Sequence, residues 1–125
     1  MRFEELEVYQ MAMDMAEKVW DLIRDWDYFA RDTIGKQVMK SADSVAANLI
    51  EGFGRYFYKE NKQFCYYSRG SLYETKTWLT KAFKRKLFTE EEYNIFLKDL
   101  EIMGIKLNNY INTIGHKARK ETDHK

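Results

Sequence analysis

The chain has 125 residues, 45% of them hydrophobic, with 21 Lys and Arg against 20 Asp and Glu for a formal net charge of +1. That length supports one domain with its own core, and the single cysteine, Cys65, excludes an internal disulfide or a Cys-rich zinc site. The opening MRFEELEVYQ has no apolar signal core and no apolar run approaches the roughly 20 residues that span a bilayer, so the expectation is a soluble, cytoplasmic protein without a membrane partner.

Proline is absent, which removes the commonest helix breaker and favours long helices. In the first segment Leu6, Tyr9, Ala12, Met13, Ala16, Val19, Trp20 and Ile23 recur at three- and four-residue steps, the spacing of one helical stripe. The stretch DWDYFARD interrupts it, and Asp32 is read as the N-cap of the next helix. Ile34, Val38, Ala42, Val45, Leu49 and Phe53 make the second stripe, which Gly52 and Gly54 bring to an end near residues 52 to 56. A third helix is expected from about Lys59 to Lys86, its inner line running through Phe64, Tyr67 or Ser68, Ser71, Leu72, Thr75, Leu79, Ala82 and Phe83. Thr89-Glu-Glu-Glu92 reads as a capping box that opens a fourth helix. Tyr93, Leu97, Leu100, Gly104, Leu107, Ile111 and Ile114 follow in it at alternating steps of four and three. After Gly115 the chain turns polar. The pattern predicts an all-α, antiparallel up-down-up-down four-helix bundle over residues 1–115 with a polar C-terminal tail, 116–125.

Charge is unevenly spread. Residues 1–30 hold three basic and eight acidic side chains (net −5), residues 31–86 twelve and five (net +7), and residues 87–125 six and seven (net −1). The basic half is therefore the second and third helices, densest at Lys81, Lys84, Arg85 and Lys86, where cations also complement a helix C-terminus. At the corner between those helices seven aromatics (Phe53, Tyr56, Phe57, Tyr58, Phe64, Tyr66, Tyr67) interleave with Arg55, Lys59 and Lys62. Rings beside cations stack on splayed bases while the charges hold phosphates. The same rings also suit a bundle end or a subunit interface. With Arg69 from the third helix, these eight cations are the candidate nucleic-acid contacts.

Several segments resemble one family. Phe3-Glu-Glu-Leu6-Glu-Val8 through Ala12 is similar to the F-x-x-L-x-V-x-x-x-A opening of the 23S rRNA intervening-sequence proteins, also called four helix bundle proteins. Ser44-Val-Ala-Ala-Asn48-Leu-Ile-Glu51-Gly52-Phe-Gly54-Arg55 resembles their S-I-P-A-N-I-A-E-G-x-G-R segment. Phe64 followed by Gly70-Ser71-Leu72-Tyr73-Glu74 looks like their G-S-L-x-E region, and Leu87-Phe-Thr-Glu-Glu-Glu-Tyr93 like the entry to their last helix. The resemblance covers about residues 3 to 114. It implies a bundle that assembles into a ring-like homopentamer and binds RNA or DNA; some members are encoded within large-subunit rRNA genes, and relatives serve as accessory subunits of reverse transcriptases. Ala46 stands where the family has proline, so the second helix is expected to run without a kink.

Asn48 with Glu51, and Ser71 with Glu74, each sit three apart beside an apolar stripe, which makes them candidates for a buried polar network; the alternative is that the glutamates face solvent or pair with Lys40 or Arg55. Signals for an enzyme are weak. A Glu-x-x-His on each of two helices, as di-iron bundles need, is missing, GFGR lacks the Lys-Ser/Thr of a P-loop, and Cys65 has no histidine near it in sequence. Arg119 and His124 fit the R-x(4)-H spacing of helical ribonucleases, but at the chain end rather than in a rigid cleft. The expectation is a non-enzymatic bundle without metal or cofactor that binds nucleic acid; the alternative is a protein–protein adaptor with no nucleic-acid contact of its own.

Overall fold

The computed structural model describes Phe3 and residues 6–115, and these are helical with short connections. The elements are α1 (Glu7–Ile23), a single turn α2 (Tyr28–Ala30), α3 (Lys36–Phe53), α4 (Tyr58–Lys84) and α5 (Glu90–Thr113). A five-residue π-helical turn, Arg31–Gly35, joins α2 to α3, so residues 28 to 53 form one unbroken rod. With α1, α4 and α5 this makes four rods. The polar tail, with His116, Arg119 and His124, lies outside the described residues.

Paired residues fix the directions. Ser68 and Thr75 of α4 meet Val45 and Ser41 of α3. Arg69 and Thr80 of α4 meet Asn108 and Tyr93 of α5, and Lys18 and Glu7 of α1 meet Asp99 and Lys106 of α5. In each pair the numbers climb on one helix as they fall on the other. The rods are therefore antiparallel neighbours in the order α1, α3, α4, α5, and α5 returns to α1. No helix among the described residues is long and apolar enough to cross a membrane.

Inward residues follow the 3.6-residue period, with instructive shifts. On α1 the buried line is Val8, Ala12, Met15, Ala16, Val19 and Ile23, whereas Met13 and Trp20 face outward. On α4 Cys65 and Ser68 are fully buried while Tyr67 is exposed, and on α5 Phe96 and Met103 join the core beside Leu100, Leu107 and Ile111. Asp32 does not cap the second rod. Asp27 does so instead, accepting a 3.0 Å bond from the Ala30 amide, and Asp32 pairs with Lys36 at 2.7 Å. An Asp one turn earlier reaches the first orphan amides, which leaves Asp32 inside the helical rod. The capping box forms as read: Thr89 Oγ1 accepts from the Glu92 amide (3.1 Å) and the Glu92 carboxylate from the Thr89 amide (3.0 Å). α3 continues through Ala46, which is buried.

The α3–α4 contact is the most extensive in the bundle. Ser68 Oγ donates to the Val45 carbonyl at 2.7 Å; Thr75 Oγ1 donates to Ser41 Oγ at 2.9 Å, and Ser41 Oγ in turn to the Val38 carbonyl. Three small hydroxyls thus peg the two helices in register without leaving a buried polar atom unmatched. Near the corner Gly52 lets α4 approach. A Cβ there would lie 2.8–2.9 Å from Asn61 Oδ1, the Asn61 carbonyl and Phe64 Cβ, so a larger residue would push the helices apart.

Candidate nucleic-acid interface

The eight candidate cations do not form one surface. Arg55, Lys59 and Lys62 lie at the N-terminal end of α4, while Lys81, Lys84, Arg85 and Lys86 lie at its other end. From Lys59 to Lys84 the helix rises about 38 Å at 1.5 Å per residue. Arg69 sits midway, its guanidinium 5.0 Å from the Tyr66 ring and donating to Asn108 Oδ1 at 3.1 Å. The bundle has two basic ends with different environments.

At the α3–α4 corner α3 stops at Phe53, with the Gly54 and Arg55 amides bonded back to the Ile50 and Gly52 carbonyls. Phe57 opens α4, its carbonyl accepting from the Glu60 and Asn61 amides. Between these fixed points Tyr56 and Phe57 project into solvent, 88% and 61% exposed, with their rings edge to face at 4.9 Å. The other rings are partly used. Phe53 packs on Phe3 (4.9 Å), and Phe64 lies under the Arg55 guanidinium (4.7 Å) and edge-on to Tyr67. Arg55 is also held by Glu51 at 2.7 Å, so it is oriented but half neutralised. Lys59 and Lys62 have no ion pair among the described residues.

The opposite end is built otherwise. Rings there pack on one another: Phe83 stacks on Tyr93 at 4.4 Å, and Phe88 sits 6.1–6.3 Å from Trp26, Phe83, Tyr93 and Phe96. Lys81 lies 5.3 Å over the Trp78 ring. The α4 terminus closes in a Schellman turn, the Lys86 amide bonded to the Phe83 carbonyl and the Leu87 amide to the Ala82 carbonyl. Lys86 occupies its left-handed position, φ 62°. Lys84, Arg85 and Lys86 therefore surround the negative end of a helix dipole.

The four residues read as a polar network are not joined within the chain. Asn48 donates to the Ser44 carbonyl of its own helix, Glu51 pairs with Arg55, and Glu74 accepts from Trp78 Nε1. Ser71 offers its carbonyl, 2.8 Å from the Thr75 hydroxyl. Helical spacing placed them beside the core but outside the buried seam, whose hydroxyls belong to Ser41, Ser68 and Thr75. Their signal was small polar residues on apolar stripes, and Ser68 and Thr75 already stood on one.

Cys65 is fully buried, its Sγ 3.7 Å from Asn61 Oδ1, and burial pushes the thiol up to about 11. It stays protonated at neutral pH and is no nucleophile there. Among the described residues no three His, Cys, Asp or Glu side chains are grouped to hold a metal ion.

An antiparallel four-helix bundle with exposed rings and cations at one corner defines the class. A family model for the 23S rRNA-intervening sequence protein matches residues 4–109, and the chain belongs to that family. It is also similar in structure to a protein of unknown function from the S23 ribosomal protein family of Bacteroides thetaiotaomicron VPI-5482. The TM-score is 0.76 at 20% identity, over 85% of this chain and 99% of that one. No curated protein matches the sequence.

Proposed function

We propose that the protein is a non-enzymatic, homo-oligomeric nucleic-acid-binding bundle whose contact surface is the α3–α4 corner. The observation that carries this reading is the pair Tyr56 and Phe57, two neighbouring rings open to solvent on anchored backbone, beside Lys59 and Lys62, which have no ion pair among the described residues. Such rings stack on unpaired bases and such cations hold the flanking phosphates. Arg55, oriented by Glu51, and Arg69 extend the basic edge along α4. Lys81, Lys84, Arg85 and Lys86 add attraction from the far end that salt screens. A pentamer is the assembly the family resemblance implies. Copies in a ring repeat the corner, so weak single contacts add through multivalency.

The test is a fluorescence-polarisation titration of single-stranded and structured RNA and DNA at low salt, repeated as salt rises. Micromolar or tighter binding that weakens steeply with salt is expected, through counterion release. Absence of binding at micromolar protein overturns the reading and leaves the adaptor role, in which a protein partner handles the nucleic acid.

A further inference from the structure

α5 ends beside the start of α4, and these two termini with the end of α3 enclose a pocket of about 290 Å³ at the α3–α4 corner. Phe53, Tyr58 and Tyr110 bring it one ring each from α3, α4 and α5, while Arg55, Asn61 and Thr113 bring it polar groups. Gly115 also lines it. Its φ of 85° suits glycine, and its backbone lies so near Tyr58 that an added Cβ would sit 3.6 Å from the Tyr58 Cβ. Phe53 and Tyr58 are 37% and 53% exposed, so their ring surface is not used up by the fold.

The polar groups are held in place. Asn61 Oδ1 accepts from Cys65 Sγ at 3.7 Å. Burial raises the Tyr110 phenol above its ordinary value, and a hydrogen bond from the Asn61 amide opposes that rise. Tyr110 therefore keeps its O–H at neutral pH, and Asn61 has a second N–H to give. Thr113 Oγ1 donates to the Tyr110 carbonyl at 2.7 Å, which leaves its own lone pairs to accept. Arg55 is fixed by Glu51 at 2.7 Å and lies 4.7 Å over the Phe64 ring.

Rings, donors and acceptors set around one small space, with a guanidinium among them, suit a flat heteroaromatic group that hydrogen-bonds through its edge and carries a phosphate. An aliphatic guest would leave the amide and the hydroxyls unpaired, which costs binding. The volume is at the small end for a ligand pocket, room for a single ring system rather than a large cofactor. Tyr58 directly follows Tyr56 and Phe57, so the pocket is continuous with the exposed rings of the corner.

We propose that this pocket takes one unstacked nucleobase of the strand held at the corner, its edge read by Asn61, Tyr110 and Thr113 and its phosphate held by Arg55. This rests on the nucleic-acid reading above and adds base recognition to it. Tyr56 and Phe57 stack on any base, since every base has a π-face, whereas fixed donors and acceptors tell one base edge from another.

The test is photocrosslinking of the full chain to single-stranded RNAs that carry one photoreactive nucleotide each: 5-iodouridine, 5-iodocytidine, 8-azidoadenosine or 6-thioguanosine. Mass spectrometry maps the crosslinked residues, and polarisation measures affinity alongside. At least one base should crosslink to Tyr110, which is far from Tyr56 in sequence and so on a separate tryptic peptide. Thr113→Trp fills the pocket and Tyr58→Ala removes one wall. Each should abolish the Tyr110 crosslink and weaken binding about tenfold, the share of one stacked base. Both side chains are exposed, so circular dichroism should match wild type; Thr113→Leu and Tyr58→Leu replace them if it does not. The same nucleotides as free monophosphates, at the concentration of the strand, should not crosslink to Tyr110. Strands that bind but crosslink only to Tyr56 or Phe57, or two variants with wild-type affinity, overturn the pocket while the nucleic-acid reading stands. Free monophosphates that crosslink to Tyr110 at that concentration overturn the assignment to a strand and make the pocket a nucleotide site of its own. Absence of any strand binding at micromolar protein overturns the nucleic-acid reading and this inference with it.

Discussion

The two ends of the bundle use the same residue types for opposite purposes. At the α4–α5 end Phe83, Phe88, Tyr93 and Phe96 pack against one another and Trp26, and the cations cap a helix. At the α3–α4 corner Tyr56 and Phe57 touch mainly each other and water, beside Lys59 and Lys62. An aromatic ring already enclosed by other rings stabilises the fold, whereas one held in solvent on fixed backbone contributes little to it and is available to a ligand. Composition alone makes the two ends look alike. What separates them is whether the connecting residues can fold back over the bundle, as the Schellman turn after Lys84 does for Leu87 and Phe88.

The sharpest way to break this contrast is to delete one ring at each end. Phe88→Ala should destabilise the protein by about 3 kcal/mol, since it empties a half-buried site among four rings. Phe57→Ala should stay within about 0.5 kcal/mol of wild type, as an exposed substitution does. Urea denaturation of the two reads the difference directly, and equal losses would erase the distinction. Within the corner, Gly52→Ala should cost about 2 kcal/mol by forcing α3 from α4, measured the same way. At the packed end Lys86→Gly should stabilise by about 1 kcal/mol, because the left-handed position strains any side chain; an unchanged melting midpoint would contradict the Schellman assignment. Cys65 offers the mildest check. Its thiol is held at about 11 by burial, so it remains protonated below that pH and should resist iodoacetamide at pH 8 until the protein unfolds.

The four rods were legible in the sequence because their apolar periodicity runs for four or more turns, and Thr89 with Glu92 marked one start to the residue. The rotation of α1 was not. Met13 and Trp20 satisfy the helical spacing as well as Val8 and Met15 do, since the helix is apolar on two faces and periodicity cannot say which meets the core. Asp27 and Asp32 are likewise equal as caps until the π-helical turn fixes where the rod begins. At the candidate site the cations, the rings and their division between the corner and the far end of α4 were all visible, because α4 was expected over about Lys59 to Lys86; which rings stay open to solvent was not. Pegging of α3 to α4 by Ser41, Ser68 and Thr75 depends on interhelical distance, which no spacing rule within one helix contains.

The central claim, that the exposed corner binds nucleic acid, is tested most directly by comparing two multiple variants for affinity to a single-stranded RNA at low salt. Tyr56→Ala with Phe57→Ala should weaken binding by about 10- to 100-fold while helicity is retained, the loss of roughly one to two stacked bases. Lys84→Glu with Arg85→Glu and Lys86→Glu should weaken it less, and the deficit should shrink as salt rises. Wild-type affinity in the Tyr56 and Phe57 variant would contradict the account.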